Sequence, residues 1–400
     1  MTPRPLDGVR VLDLTSSLAG PYCTQILGAL GAEVVKVEHP QRGDEARAWG
    51  PARFRGGSVM FFAANAGKRS LALDLKAPAG RDALLRLAER ADVLVESMRP
   101  GTAVRLGLGA DDVRGRNERL VYCSIGAYGS RGPLAHLPGY DPLMQAASGI
   151  VSLTGEPDRP GVRVGTSLVD QGTGTWAALA ILAALHERDR TGRGGVVDLS
   201  LYETALALVG YHVAGYLGTG EPPAGRRGTA FPLIAPYEAF EAADGSLLVA
   251  AANDRLFAAL CDALELPEVA ADPRFATNPL RVEHREALLP PLRSRFRERG
   301  AAEWLERLER AGVPAAPVRE IPEVAEHEQT RALGILQRLD GADSVGVPFA
   351  LDGERPPYRS PPPLLGEHSA EVLAEAGYSP EEVAALVADG VVADGKPPAR

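Results

Sequence analysis

The residues best suited to chemistry lie in the stretch 164–185, which reads VGTSLVDQGTGTWAALAILAAL. A short apolar run ends at Asp170, little side-chain bulk follows it, and an Ala/Leu-rich helix comes next. This order predicts Asp170 as the N-cap of that helix, where unpaired N–H groups and the helix dipole stabilise negative charge. Most such aspartates only cap. Gly172 and Gly174 favour a functional role as well, because they let a ligand approach the backbone.

A second group of residues follows the strands predicted in the first third of the chain. In an open α/β sheet the ligand binds at the carboxyl ends of the strands. Lys76, Arg99 and Arg105 are suited to form a cationic lip for phosphates there, although each one alone is typical of a solvated surface. The group comprises SLAGP after the first strand, His39, Lys76, Ser97, Met98, Arg99 and Arg105.

Alternating strand and helix patterns must position these residues. The alternation over the first 130 residues predicts an α/β fold with a doubly wound, mostly parallel sheet. A Gly- and Pro-rich linker at 218–228 separates residues 1–217 from a smaller α+β domain at 229–318. The predicted early strands are Val9–Leu14, Ala32–Glu38, Leu71–Lys76, the stretch ADVLVES that ends near Ser97, and LVYCSIGAYG.

Composition excludes several classes of function. The net charge of -9 argues against a general nucleic-acid binder. Three widely spaced cysteines indicate neither a disulfide framework nor a zinc site, and no metal site is expected. The N-terminus carries no signal-peptide pattern, and the apolar helix after Asp170 is interpreted as a buried one, so a cytoplasmic protein without a membrane partner is expected.

The sequence also lacks the residues of two nucleotide-binding motifs. The first turn, SSLAGP, is not GxGxxG, although Glu38 lies about where a ribose-binding acid would be. AGKRS at 66–70 lacks the upstream glycine and the spacing of a phosphate loop. HExxH and GxSxG motifs are missing from the sequence, so nothing supports a zinc protease or a serine hydrolase.

Six stretches in order resemble the class III CoA-transferases, the CaiB/BaiF family that includes formyl-CoA transferase and alpha-methylacyl-CoA racemase. The resemblance runs from about Leu6 to Val392, and the combination of stretches is highly specific. The stretches are LDLTSSLAGPYCTQILGALGAEVVKVE, GKRSLALDLK, VESMRPGTAVRLGLG, GYDPLMQAASG, VGTSLVDQGTG and PPPLLGEH.

The resemblance implies a large CoA-binding domain with a Rossmann-like sheet, to which residues 319–400 return, and an interlinked homodimer. It implies Asp170 as the catalytic aspartate. Several members have Arg at the position of His39 and Asn-Phe at the positions of Ser97 and Met98, so this chain departs from the family pattern at these contacts. The implied CoA contacts are Leu18, Ala19, His39, the stretch from Leu73 to Lys76, Ser97, Met98, Arg99, Arg105, Pro138, Gly139, Tyr140 and Asp141.

In the mechanism that the resemblance implies, ionised Asp170 attacks an acyl-CoA thioester and forms an aspartyl-acyl anhydride, then an aspartyl-CoA thioester. The helix dipole is expected to keep Asp170 ionised, and backbone N–H groups of the Gly-bearing segment after it are candidate oxyanion donors. Coenzyme A is then a substrate, with no tightly bound cofactor. Succinyl-CoA as donor and a small dicarboxylate as acceptor are the default pair.

Two other functions remain open. Racemases of the family carry a His where this chain has Tyr140, which is a poor base at neutral pH, and a Glu where it reads AANDRLF. Transfer is therefore favoured over racemisation. A non-catalytic acyl-CoA-binding protein is the third interpretation. The linker residues Arg226 and Arg227 either meet a substrate carboxylate or belong to a solvated loop.

Overall fold

The computed structural model describes residues 4–54 and 57–395. The chain forms two compact units. The first consists of Met1–Ser148, Val164–Gly210 and Gln329–Arg400, and the second consists of Gly149–Arg163 and Tyr211–Glu328. The end of the segment 319–400, which was predicted to return to the large domain, lies outside the described residues from residue 396 onward.

The strands, in chain order, are β1 (Arg10–Leu14), β2 (Glu33–Glu38), β3 (Arg53–Phe54), β4 (Gly57–Ser58), β5 (Arg69–Leu73), β6 (Val93–Glu96), β7 (Val121–Gly126), β8 (Val196–Ser200), β9 (Tyr237–Glu241), β10 (Ser246–Ala250), β11 (Ala315–Pro317), β12 (Leu336–Leu339), β13 (Ala342–Val345) and β14 (Val392–Ala393).

The helices are α1 (Ala19–Ala29), α2 (Val59–Ala64), α3 (Pro78–Ala88), α4 (Thr102–Arg105), α5 (Ala110–Arg116), α6 (Asp141–Ala147), α7 (Ile150–Leu153), α8 (Leu168–Thr191), α9 (Leu201–Leu208), α10 (Gly210–Thr219), α11 (Asp254–Leu264), α12 (Pro267–Ala271), α13 (Asn278–Glu283), α14 (Arg285–Phe296), α15 (Ala301–Arg310), α16 (Ile321–Glu326), α17 (Glu328–Ala332), α18 (Ser369–Glu375) and α19 (Pro380–Ala388). Short 3-10 turns cover Glu45–Ala48 and Pro273–Phe275.

A seven-stranded sheet is the centre of the first unit. Its order is β14-β5-β2-β1-β6-β7-β8, and every neighbouring pair is parallel except β14 with β5. The prediction of an α/β chain with a large, mostly parallel sheet is thus confirmed. The strand order reverses between β1 and β6, and the crevice at such a switch point is where open α/β sheets bind ligands.

The strands are apolar because helices cover them. Leu12, Val35, Leu71 and Leu94 pack with the apolar residues of α3 and α18 in one continuous core. α8 packs along α1, so these two helices form a layer of their own against the sheet. Two-sided burial of this kind explains the nearly continuous apolar runs from which the parallel strands were predicted.

One predicted strand is displaced along the chain. The strand expected at Leu71–Lys76 runs instead from Arg69 to Leu73. Asp74 ends it, because the Asp74 side chain turns back to accept a hydrogen bond from the Lys76 N–H at 2.9 Å. Short Asp side chains compete with the ladder in this way, and Lys76 therefore lies in the turn after β5.

The second unit is a smaller α+β body. Its strands β9 and β10 form a hairpin, in which Asp244 and Gly245 make the turn and the Ala242 N–H donates to the Gly245 carbonyl. β11 adds to this sheet, and helices α11, α14 and α15 contribute many of the apolar residues of its core. The core includes stacked Phe240 and Phe296.

The units divide the chain differently from the predicted boundaries at residues 217, 228 and 318. Gly149–Arg163 and the residues from Tyr211 onward group with the second unit. A contact inside that unit explains the first of these shifts: the Arg226 guanidinium donates to the carbonyls of Glu156 and Pro157, at 3.1 and 3.4 Å. No local sequence pattern predicts a contact between segments that lie so far apart in the chain.

Helix α8 is long and apolar, as expected. Among the described residues it alone has the length and composition to cross a membrane, and 39% of its most apolar window is buried within the protein. A single helix of this kind is weak evidence for a membrane span, because core helices of water-soluble proteins have the same properties.

Candidate active site

Asp170 lies in the first turn of α8, at its third position, and not at the N-cap. Ser167 occupies the N-cap and makes no side-chain cap. The cap comes instead from Asp141, whose Oδ2 accepts hydrogen bonds from the N–H groups of Val169 at 2.8 Å and Asp170 at 3.2 Å. The prediction of Asp170 as the cap is therefore wrong, because a buried carboxylate from α6 already satisfies those donors.

The surroundings of Asp170 favour its protonated form. Burial, and after it the negative charge of Asp141, raise the pKa of Asp170 to about 7. The expectation that the helix dipole keeps this carboxyl ionised in the resting protein is thus not met, since desolvation outweighs the dipole. At neutral pH the group divides between a protonated form and a nucleophilic carboxylate.

The two glycines after Asp170 allow close packing against protein. A Cβ on Gly174 would lie 2.5 Å from the carbonyl oxygen of Ala19 and 3.1 Å from the Cys23 nitrogen on α1. A Cβ on Gly172 would lie 3.1 Å from the Thr204 side chain. The predicted ligand approach at Gly174 is therefore wrong, because α1 occupies that space.

The same segment is also a poor source of oxyanion donors. The Gln171 N–H donates to the Ser167 carbonyl at 3.1 Å, and the residues after it continue the helix. Helical N–H groups beyond the first turn bond to carbonyls four residues back. The oxyanion donors predicted in the Gly-bearing segment are therefore already engaged.

The loops that follow β1 and β6 meet at the switch point of the sheet. The Ser16 N–H donates to Ser97 Oγ at 3.2 Å, and the Met98 N–H donates to a Glu96 carboxylate oxygen at 2.8 Å. Leu18 and Ala19 follow Ser16, and both are buried at the start of α1. The structure thus brings the segments that carry Leu18, Ala19, Ser97 and Met98 together at the carboxyl ends of β1 and β6.

A cationic corner lies beside the ends of β2 and β5. Burial, and after it the charge of Arg42, lower the pKa of His39, and Lys76 acts in the same direction while Asp74 opposes it. His39, Lys76 and Arg42 therefore lie near one another. Leu73 is the buried last residue of β5. Arg42 was missed at the sequence level, where its only signal is its position three residues after His39.

The segment from Pro138 to Asp141 leads into α6. The Tyr140 hydroxyl donates to the Glu45 carboxylate at 3.2 Å, and burial and Glu45 raise the pKa of Tyr140 against the opposing charge of Arg99. Tyr140 is thus a protonated phenol at neutral pH and lies near Arg99. Pro138 is exposed, Gly139 packs on Met144, and Arg105 is exposed and bonds to Thr102.

A network of buried charges below this crevice was not predicted. Lys36 and Glu38 lie inside β2, and both are buried. Arg47 binds both oxygens of Glu38, at 2.7 and 2.8 Å, so Glu38 has no capacity for a ribose. Lys68 is paired with Asp13 at 2.9 Å and is no phosphate ligand. The sequence signal for this network is the stretch EVVKVE, in which an apolar strand contains Lys36 and Glu38. Charges in a buried strand need partners, so the stretch predicts buried ion pairs.

In the part of the chain that the structure describes, no group of three or more His, Cys, Asp or Glu residues is arranged to hold a metal ion. Cys23, Cys123 and Cys261 are buried and free.

Comparison with known proteins matches this chain to one family. The model of CoA-transferase family III matches residues 6–369. The succinyl-CoA:glutarate CoA-transferase of Mus musculus is 39% identical over 395 residues, which cover 97% of this chain and 90% of that protein. The acetyl-CoA:oxalate CoA-transferase of Acetobacter aceti is 40% identical over 374 residues, covering 93% and 95%.

A solved structure agrees with these relatives. The crystal structure of a CAIB/BAIF family protein from Brucella suis superimposes with a TM-score of 0.85 at 37% identity, and the match covers 94% of this chain and 100% of that one. The chain therefore belongs to CoA-transferase family III and is an enzyme that moves CoA from an acyl-CoA donor to a carboxylic acid.

Proposed function

We propose that this enzyme transfers CoA from succinyl-CoA to a small dicarboxylic acid and that Asp170 carries CoA between them as an aspartyl thioester. The observation that carries the proposal is the half-buried Asp170 carboxylate at the start of α8, whose backbone is fixed by Asp141. The donor and acceptor classes are supported by the mouse and Acetobacter relatives, because both of their named acceptors, glutarate and oxalate, are dicarboxylates.

The first half of the reaction frees CoA. An Asp170 oxygen attacks the thioester carbonyl, the C–S bond breaks, and its electron pair leaves on the CoA thiolate. The product is an aspartyl-succinyl anhydride. The thiolate then attacks the Asp170 carbonyl carbon and expels succinate, which leaves CoA bound to Asp170 as a thioester.

The second half repeats these steps with the acceptor. Its carboxylate attacks the Asp170 thioester and expels the CoA thiolate, and the thiolate then attacks the acceptor's carbonyl in the new anhydride. The C–O bond to Asp170 breaks, so acyl-CoA leaves and the carboxylate is restored. Thioester energy is conserved throughout, so no ATP is consumed.

Asp141 supports the nucleophile in two ways. It fixes the backbone of Val169 and Asp170 through its Oδ2, while its other oxygen accepts a hydrogen bond from Gln145 at 2.6 Å. Its negative charge also contributes to the raised pKa of Asp170. A carboxylate of higher pKa is the stronger nucleophile once it is ionised.

The CoA moiety is proposed to bind along the carboxyl edge of the sheet. The crevice between β1 and β6 would hold the portion near the thioester. The cationic corner of His39, Arg42 and Lys76 would face phosphates, because cations at this edge offset an otherwise acidic protein. Arg99 and Arg105 are exposed and would contribute from the β6 side.

The enzyme is further proposed to act as a homodimer in a reducing, cytoplasmic compartment. Helix α10 supports association, since Tyr211, Val213, Tyr216 and Leu217 are all exposed on it. Large apolar side chains that are exposed together on one helix are typical of a protein interface. The three free cysteines fit a reducing compartment.

A screen of CoA donors against a panel of carboxylic acids tests the proposed substrates. Succinyl-CoA with a dicarboxylate of two to five carbons should give the highest kcat/KM, and Asp170→Ala should abolish transfer. Deuterium incorporation at the alpha carbon of a branched acyl-CoA without any acceptor would instead support the racemase. Tight acyl-CoA binding without transfer to any acid would support a non-catalytic binding protein.

A further inference from the structure

Two buried lysines hold the two ends of the turn that follows β1. Lys36 Nζ donates to the Thr15 carbonyl at 3.0 Å, and Lys68 Nζ donates to the Pro21 carbonyl at 2.8 Å. Each lysine is neutralised by one aspartate: Asp44 lies 2.8 Å from Lys36, and Asp13 lies 2.9 Å from Lys68. All four side chains are withdrawn from solvent.

Asp44 also acts directly on the middle of this turn. One of its oxygens faces Lys36, and the other accepts hydrogen bonds from the N–H groups of Ser17 at 3.0 Å and Ala46 at 2.9 Å. Ser17 has a φ of 72°, in the left-handed region that disfavours every residue with a Cβ. The Asp44 hydrogen bond therefore holds Ser17 in a conformation that it would otherwise leave.

The turn lies against the helix that carries Asp170. Ser17 is followed by Leu18 and by Ala19, the first residue of α1. The Ala19 carbonyl is the group that approaches Gly174, one helical turn after Asp170. A shift of the turn would therefore move the start of α1 against the first turns of α8.

Stability alone does not account for buried charges at this place. Ion pairs withdrawn from water are often no better than apolar packing of the same volume, because desolvation offsets their attraction. What apolar side chains cannot do is accept the Ser17 N–H or donate to the Thr15 carbonyl. The chemistry of these groups matches the polar atoms of the turn.

We propose that Asp44, held by Lys36, is a positioning residue of the CoA-transfer reaction. It fixes the Ser16–Leu18 turn in the strained conformation that sets the thioester-binding crevice against Asp170. The inference rests on the proposed function and adds to it a pair of residues that touch neither substrate nor Asp170.

The test compares Asp44→Asn with the double variant that also carries Ser17→Gly. Asp44→Asn loses the Lys36 ion pair and weakens the hold on Ser17, so kcat should fall by about tenfold or more, because small misplacements near reacting atoms are costly. KM for succinyl-CoA should change by less than about threefold, since the cationic corner is intact. Glycine adopts a positive φ freely, so the added Ser17→Gly should recover at least about threefold of kcat.

Ser17→Pro leaves both ion pairs in place and provides a variant that does not unpair a buried charge. Proline removes the N–H that Asp44 accepts and forbids a positive φ. Its kcat should fall by about a hundredfold or more. Hydrogen exchange of the peptide that spans residues 15–22 should quicken in Asp44→Asn and in Ser17→Pro relative to the wild type.

Asp92→Asn is the matched control. Asp92 pairs with Arg188 at 2.7 Å and accepts the Arg10 N–H at 2.8 Å, just before β6 and thus at the opposite edge of the sheet. It should lower the melting temperature and leave kcat within about twofold of the wild type. All variants are assayed as the full chain, below their melting temperatures.

The outcomes separate this inference from the proposed function. An unchanged kcat in folded Ser17→Pro, or no recovery in the Ser17→Gly double variant, would overturn the positioning role and leave the proposed function intact. A wild-type protein without CoA transfer, or an Asp170→Ala variant that still transfers CoA, would overturn the proposed function itself.

Discussion

Asp170 and Asp141 meet two opposing requirements at the residue scale. A nucleophile must be ionised, whereas burial and the neighbouring Asp141 charge raise the pKa of Asp170 to about 7. Removing Asp141 would leave the N–H groups of Val169 and Asp170 without their hydrogen-bond acceptor. The site therefore retains a carboxylate that is costly to ionise and correspondingly reactive.

The free energy of unfolding should reveal the cost of ionised Asp170. The folded pKa of about 7 exceeds the ordinary 3.8, so protonated Asp170 contributes to the free energy of unfolding. This contribution is fully present below pH 4 and is lost as the pH rises through 7. Asp170→Asn stays neutral at all pH values. Denaturant titration should find it more stable than the wild type by about 2–4 kcal/mol at pH 8, and nearly equal at pH 4. Equal stabilities at pH 8 would contradict the raised pKa.

The pH profile of kcat/KM should follow the same group. The rate should rise with a slope of one up to about pH 7 and then level off, as Asp170 ionises. Asp141→Asn removes the like charge and keeps an oxygen for the Val169 and Asp170 N–H groups, so its midpoint should move to lower pH. An unmoved or higher midpoint in that variant would show that Asp141 does not act through its charge.

Asp170 could be found from the sequence, whereas Asp141 was indicated only as a CoA contact and not as the residue that caps α8. A lone Asp ahead of small residues and an apolar helix is a local pattern. The cap from Asp141 joins residues 29 positions apart, and the network of Lys36 and Asp44 joins different loops. Such contacts depend on the tertiary fold, which overrides local capping preferences.

At the scale of elements, the pairing of α1 with α8 decides where Asp170 lies. Gly174→Ala would place a Cβ 2.5 Å from the Ala19 carbonyl, which is backbone and cannot rotate away. It should cost about 1–3 kcal/mol of stability and lower kcat. Gly115→Ala is the control, because nothing lies within 4 Å of that position in α5 and alanine favours a helix. Thermal melts of both variants measure the loss of stability, which is expected only in Gly174→Ala. A stable, fully active Gly174→Ala would contradict the packing role.

Most elements of the sheet were predictable, because a strand covered by helices on both faces is a continuous apolar run. Val93–Glu96 and Val121–Gly126 fall inside the predicted stretches. The error at Leu71–Lys76 arose where Asp74 ends β5 through its own side chain. The pattern of apolar residues alone does not show where such a turn begins.

At the scale of the whole molecule, the exposed apolar residues of α10 predict association. Sedimentation equilibrium should give twice the mass of one chain. Leu217 is 76% exposed, and Leu217→Glu should weaken the dimer by at least about tenfold in Kd, whereas Ile321→Glu, at a 79% exposed position outside α10, should not. A wild-type monomer at micromolar concentration would contradict the proposed homodimer.

The division of the chain was only partly predictable at this scale. The Gly- and Pro-rich stretch predicted a change of unit, because such residues interrupt regular elements. It lies inside the second unit, however, where Arg226 joins it to the carbonyls of Glu156 and Pro157. The sequence offers no local sign that residues 149–163 leave the first unit and return to it.

The central claim is that Asp170 is the nucleophile that carries CoA from donor to acceptor through an anhydride and a thioester. The most direct measurement incubates the full chain with succinyl-CoA, traps the activated Asp170 carbonyl with hydroxylamine, and maps the modified peptide by mass spectrometry. A hydroxamate on Asp170, absent from the Asp170→Asn variant and dependent on succinyl-CoA, is the predicted result. An enzyme that transfers CoA at full rate with no modification at Asp170, and equally well as Asp170→Asn, would contradict it.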